Sequence, residues 1–177
     1  MLTKWLVAIG VSCAIVLFSC IVGMAEEENA PEYVGLSKCK ICHKNAKKGL
    51  DQYGWWKEDK HSKAFESLKS EEGKKIAKEK GIEDPTKAKE CLVCHITGYG
   101  KKGKIEPENG NTCEACHGPG SKYRKSHIRN KEQAKKDGLI KPTEETCKRC
   151  HNEKSPTHKP LDFKEAFKKI DHKIKKP

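Results

Sequence analysis

The pattern Cys-x-x-Cys-His occurs four times in this chain. Its copies are Cys39, Cys42 and His43; Cys91, Cys94 and His95; Cys113, Cys116 and His117; and Cys147, Cys150 and His151. Two thiols two residues apart can both reach one edge of a flat macrocycle and form thioethers with its vinyl groups. The adjoining histidine then stands beneath the centre as an iron ligand. The pattern is the attachment motif of c-type haem. Four copies imply four haems, which must then fill much of any folded core.

Zinc is the competing reading, since two Cys-x-x-Cys pairs can supply four ligands. A zinc ribbon does not require histidine directly after the second cysteine, and here histidine follows every time. Disulfides are weaker still. Of ten cysteines, Cys13 and Cys20 lie in an apolar N-terminal stretch, and the motifs use the rest.

Four histidines stand outside the motifs: His61, His127, His158 and His172. A haem iron takes a second axial ligand, for which imidazole is well suited. Four irons and four spare imidazoles invite bis-histidine ligation, but the count does not pair them. His61 shares a helical face with Ala64, Phe65 and Leu68. His127 falls on the same side as Tyr123. His172 lies nearly opposite the apolar stripe of its segment. It can still ligate if that segment packs between a haem and other core elements. His158 sits in an extended run between Pro156 and Pro160, where ligand and surface residue are equally open readings.

The elements that must position these residues read as short helices between Gly and Pro breaks. Periodicity predicts an amphipathic helix over 56–68 and a polar, exposed one over 71–80. Asp84-Pro85 predicts the start of the helix bearing the second motif. Residues 98–110 read as loop, and Gly118-Pro119-Gly120 as a tight turn. Ser121 is placed to cap a short helix carrying Tyr123 and His127. A helix over 130–137 is stopped by Gly138, and Thr143 caps the helix of the fourth motif. A final helix is expected over 162–174, with Phe163, Ala166, Phe167, Ile170 and Ile174 as its stripe. No strand is predicted. The fold class is mainly α with long loops, a compact multihaem cytochrome c whose four covalent haems form most of the core.

Residues 1–25 read as a signal peptide. Lys4 precedes an apolar run from Trp5 to Met24, and Gly23-Met24-Ala25 offers small residues at the cleavage spacing. The run is also about 20 residues long, enough to span a bilayer, so an uncleaved membrane anchor is the alternative. The stretch Leu17 to Cys20 resembles a lipoprotein site only faintly. Cleavage leaves residues 26–177 as one tetrahaem domain in the periplasm or another extracytoplasmic space, where covalent haem attachment takes place.

Hydrophobic residues make up 34% and charged residues 35% of the chain, with a mean hydropathy of −0.86. Such a chain buries little apolar surface by itself, so the haem-free protein is expected to be unfolded or molten. The net charge is +12. Arg124, Arg129 and Arg149 are its only arginines. A lysine-dominated charge attracts at long range without the planar fork that clamps phosphate. Nucleic acid is therefore set aside. The remaining readings are a solubilising surface and steering toward an acidic redox partner.

Beyond the bare motifs, the chain resembles the cytochrome c-554 family, small tetrahaem cytochromes best known from ammonia-oxidising bacteria. The matching text is Tyr33-Val34-Gly35, then His61-Ser62-Lys63-Ala64-Phe65 with Leu68. It continues with Cys91 through Gly100, Cys113 through Ser121, and His127 at the family spacing. The resemblance implies a ligand map. His127 would return to the haem of His43, His61 would serve that of His117, and His172 that of His151. The haem of His95 would be open. This chain departs from the pattern after the fourth motif, where the segment is short and contains His158, which could close the open site.

Electron transfer is the first functional reading, since closely spaced bis-imidazole haems exchange electrons with little rearrangement. The resemblance adds a setting: electrons accepted from a multihaem oxidase of hydroxylamine-like compounds and passed to membrane carriers. Catalysis is the second reading, with nitric oxide or a related nitrogen oxide reduced at an open His95 haem. A storage or scaffold subunit of a larger respiratory complex is the third. No residue is assigned a catalytic role.

Overall fold

Polar side chains that cap and stop helices set the lengths of the elements, and few helices exceed two turns. The structure is a computed structural model that describes residues 29–48 and 50–172. The chain divides into two compact units, residues 1–31 and 32–177. The account below concerns the second. The stretch read as a signal peptide, residues 1–25, and Ile174 lie outside the described residues.

The described helices are α1 (Leu36–His43), α2 (Gln52–Glu58), α3 (Ala64–Ser67), α4 (Glu71–Glu79), α5 (Lys89–His95), α6 (Cys113–His117), α7 (Tyr123–Ser126), α8 (Lys131–Lys136), α9 (Glu144–Lys148) and α10 (Phe163–Ile170). Short 3-10 turns cover Ala46–Lys48, Lys60–Lys63 and Pro107–Asn109. Extended pairing among the described residues is limited to isolated bridges, Tyr33 with Gly103 and Asn45 with Leu50. The mainly helical, loop-rich class is as expected. None of the described helices is long and apolar enough to cross a membrane.

Four local expectations are corrected. The single helix over 56–68 is broken at Asp59, whose extended backbone ends α2 and whose carboxylate accepts from His61 N. An Asp that caps a new turn competes with continuing the old helix. Asp84 does not open the helix of the second motif. Its carboxylate is spent on Thr86 N and Oγ1 in a turn, and α5 begins at Lys89. Ser121 Oγ caps nothing and accepts from Glu32 N at 2.8 Å instead. The final helix stops at Ile170, so His172 lies past its end rather than on its face. The helices over 71–79 and 131–136 form as read, capped by Ser70 and Asn130.

The apolar core is thin. Leu68, Leu92 and Ile96 form its centre, with Phe65, Cys91, Tyr99 and Ile105 packed against them. This cluster joins α3, α5 and the loop after the second motif. Elsewhere buried apolar residues are single: Leu36, Ala77, Tyr123 and Ala134. So little burial agrees with a core to be completed by a large apolar group.

The N-terminal strap is fixed by hydrogen bonds. Tyr33 N donates to Lys102 O, and Lys104 N donates to Tyr33 O. Gly103 has φ +119°, and a Cβ there would lie 2.2 Å from Tyr33 O; only glycine fits. Val34 N and Gly35 N then donate to the Glu114 carboxylate. Leu36 N donates to Glu106. Two carboxylates thus meet the free amides at the start of α1, where a helix favours negative charge.

Candidate functional site: paired imidazoles around four Cys-x-x-Cys-His motifs

Each motif spans about one helical turn. At 3.6 residues per turn, the two cysteines and the histidine at i, i+3 and i+4 share one face. The first motif occupies the end of α1, the second the end of α5, and the third the whole of α6. Cys147 lies in α9, while Cys150 and His151 follow in a turn closed by His151 N donating to Cys147 O. All eight motif thiols are free.

The motifs gather in a definite order. Cys39 and Cys113 lie close enough to perturb each other's thiol, as do Cys94 and Cys150. Burial and then the charge of Cys147 raise the Cys116 thiol, against a lowering by Arg149. The first motif therefore lies beside the third, the second beside the fourth, and the third beside the fourth. Asn111 ties the second motif to its surroundings. Its Nδ2 donates to Cys94 O, its N to His61 O, and its O accepts from Trp56 Nε1.

All eight histidines are described, and six form three opposed pairs. His43 faces His127 with ring centres 5.9 Å apart and planes 19° apart. His61 faces His151 at 6.0 Å and 75°. His117 faces His172 at 6.0 Å and 83°. Each pair joins one motif histidine to one spare histidine. A metal–imidazole bond is about 2 Å, so two rings on opposite sides of one metal have centres roughly 6 Å apart once half of each ring is added.

The hydrogen bonds select the ligating nitrogen. Nδ1 of His43 meets Gln52 Oε1 at 2.9 Å, and Nδ1 of His61 meets Asp59 Oδ1 at 2.6 Å. Nδ1 of His95 meets Ala64 O at 2.6 Å, and that of His117 meets Ile140 O at 3.1 Å. Nδ1 of His127 and His172 meets Tyr123 O and Ile170 O. Carbonyl and carboxylate oxygens only accept, so Nδ1 carries the proton and Nε2 keeps its lone pair. This is the outer-shell arrangement that orients a ligating imidazole. Burial lowers the His117 pKa. Burial, then the charges of His61 and His158, lower that of His151. Both shifts favour the neutral ring that binds metal.

The residues present therefore fit a haem at each motif, with paired imidazoles at three of them. His127 faces His43, the pairing that the resemblance implies. The other two pairings reverse the map. His61 faces His151 rather than His117, and His172 faces His117 rather than His151. His61 stands in a separate 3-10 turn, and His172 stands past the end of α10. No histidine opposes His95. His158 is exposed, and its charge is felt at His151, so it is not brought to His95. No three His, Cys, Asp or Glu side chains among the described residues converge on one metal-ion position, which leaves the zinc reading without a ligand cluster.

The comparisons give the family. A family model described as cytochrome c554 and c-prime matches residues 38–118. Cytochrome c-554 of Nitrosomonas europaea is 34% identical, over 84% of this chain and 68% of its own. The chain belongs to the cytochrome c-554 family. Among solved structures, cytochrome c554 of Nitrosomonas europaea in its reduced state matches with a TM-score of 0.57 and 29% identity. That match covers 82% of this chain and 80% of the other. As a cytochrome of this family, the protein holds c-type haem and carries electrons.

Sequence reasoning missed two groups that shape the c-554 site here. Glu114, between the cysteines of the third motif, is 2% exposed. It accepts from Val34 N, Gly35 N and Gly120 N at 2.7 to 3.2 Å. Arg149, between the cysteines of the fourth, donates from Nη2 to Ala115 O at 2.6 Å. The signal was their position: a charge inside an attachment motif must lie beside the haem edge.

Proposed function

We propose that this family member is an extracytoplasmic tetrahaem electron carrier, made with residues 1–25 as a signal peptide and working as residues 26–177. The three opposed imidazole pairs carry the reading. Haem iron supplies the one-electron chemistry by passing between ferric and ferrous states. The chain's part is to hold the groups close and fix their ligands. The contacts between the first and third, third and fourth, and fourth and second motifs supply a continuous path. The imidazole pairs, each held by Nδ1 bonds, keep both axial positions filled in either state.

The setting follows from the family: electrons taken from a multihaem oxidase of hydroxylamine-like nitrogen compounds and delivered to membrane carriers. An excess of lysine suits an acidic partner, so reduction by that partner slows as salt is added. Rates indifferent to ionic strength count against steering.

A second reading rests on His95. It has its outer-shell bond to Ala64 O, yet no imidazole opposes it. That arrangement leaves room for a small ligand such as nitric oxide or a related nitrogen oxide, and for its reduction. One experiment tests both readings. Intact mass of the exported protein should exceed the residue 26–177 chain by four haem masses. The reduced protein should bind carbon monoxide at one haem, and His158→Ala should leave that spectrum unchanged. Fewer haems defeat the tetrahaem reading. A wild type that binds no carbon monoxide defeats the open site.

A further inference from the structure

The acceptors that hold the histidines differ at one place. For His95, His117, His127 and His172 the Nδ1 partner is a backbone carbonyl. For His43 it is the neutral amide of Gln52. His61 alone among these bonds to a carboxylate, Asp59 Oδ1, at 2.6 Å. The same oxygen accepts from His61 N at 2.9 Å, so the carboxylate is held by backbone as well as ring. We infer that Asp59 is a positioning residue that makes His61 the most electron-rich ligand of the set and lowers the reduction potential of the His61/His151 site. The inference rests on the tetrahaem reading above.

An anionic acceptor pulls the Nδ1 proton and leaves more electron density on Nε2. A more electron-rich ligand favours ferric over ferrous iron, since the higher charge gains more from it. Hydrogen bonding around the axial ligand is one of the ways a protein sets a haem potential. A neutral carbonyl does the same more weakly, because charge-assisted bonds are about twice as strong. The pair is partly exposed, with side chains 38% and 30% accessible for His61 and Asp59. Solvent weakens the carboxylate's long-range field there, but the direct bond to the ring persists. The effect should therefore be largest at one haem, with a weaker one at the third motif, where the Asp59 charge is felt at Cys116. The cause is local: the Asp that breaks the helix is the Asp that grips the histidine.

Asp59→Asn is the test, because asparagine caps a helix start as well as aspartate does and faces Nδ1 with a neutral amide. Potentials are read by redox titration followed by absorbance and electron paramagnetic resonance. Near-parallel imidazole planes give a rhombic low-spin signal, and near-perpendicular planes give one dominated by a single large g value. The structure predicts that one large-g haem becomes easier to reduce by clearly more than any of the other three. Gln52→Glu is the converse. It should lower the potential of the rhombic haem of His43 and His127 alone. Four unmoved midpoints in fully loaded Asp59→Asn overturn the inference, as does an equal shift at all four. If Asp59→Asn loads poorly, Gln52→Glu decides, and no downward shift there overturns it. Intact mass and loss of one low-spin signal in His61→Ala check haem number and ligation separately, so failure of the carrier reading is distinguishable.

Discussion

The third and fourth motifs share one chemistry and occupy opposite surroundings. In the third, the residue after the first cysteine is Glu114, which is buried and holds three backbone amides. In the fourth, it is Lys148, which is half-exposed and reaches back to Glu144 at 2.8 Å. His117 donates from Nδ1 to Ile140 O, while His151 is exposed. The motif thus dictates attachment, and its two variable positions dictate how the attached group is seated. One motif is a structural centre, joined through Glu114 to the N-terminal strap and through Tyr123 Oη to Gly118 O. The other rests on that centre through Arg149.

The largest expected contrast is between Glu114→Ala and Lys148→Ala. Removing Glu114 strands three backbone amides, each costing about 1–3 kcal/mol if it finds no water. The holoprotein should lose upwards of about 3 kcal/mol in denaturant unfolding. Lys148→Ala should stay within about 0.5 kcal/mol, as exposed ion pairs contribute little. Equal losses would erase the distinction between centre and satellite.

Arg149→Ala sharpens the comparison at the seam. It removes the charged donor to Ala115 O and should cost about 1.5 kcal/mol. Protection of amides around the fourth motif should fall in hydrogen exchange while that around the third holds. Loss of protection at both would mean that the motifs form one cooperative unit. A further small effect is expected at α9 itself. Thr146 Oγ1 accepts from Thr143 N at 3.1 Å, and Thr146→Val should cost about 0.5 kcal/mol. A larger loss would show that the fourth motif depends on its own helix more than on its neighbour.

Local signals were legible where local physics decides. Ser70, Asn130 and Asp162 cap helices that begin where the sequence suggests, because a cap and its helix lie within four residues. The misreadings at Asp59, Asp84 and Ser121 share one cause. A short polar side chain has several backbone partners within reach, and tertiary contacts choose among them. Ser121 shows this most simply, since its partner Glu32 is far away in the chain. Glu114 was present in the sequence as an acid inside a motif, but its burial depends on residues 34, 35 and 120 arriving together.

By itself the sequence determined the attachment chemistry and the proximal residues. Cys-x-x-Cys-His is complete within five residues, and one turn of helix presents all three side chains on one face. It also determined that the protein core must come largely from outside the polypeptide, because the apolar content is too low to supply one. Only the tertiary structure decided which spare histidine meets which motif. Opposing two imidazoles across about 6 Å depends on long stretches of helix and loop that run from His43 to His127 and from His117 to His172. Small changes in where a helix stops redirect the side chain beyond it. His61 in its own turn after Asp59 meets His151, His172 beyond Ile170 meets His117, and no histidine opposes His95.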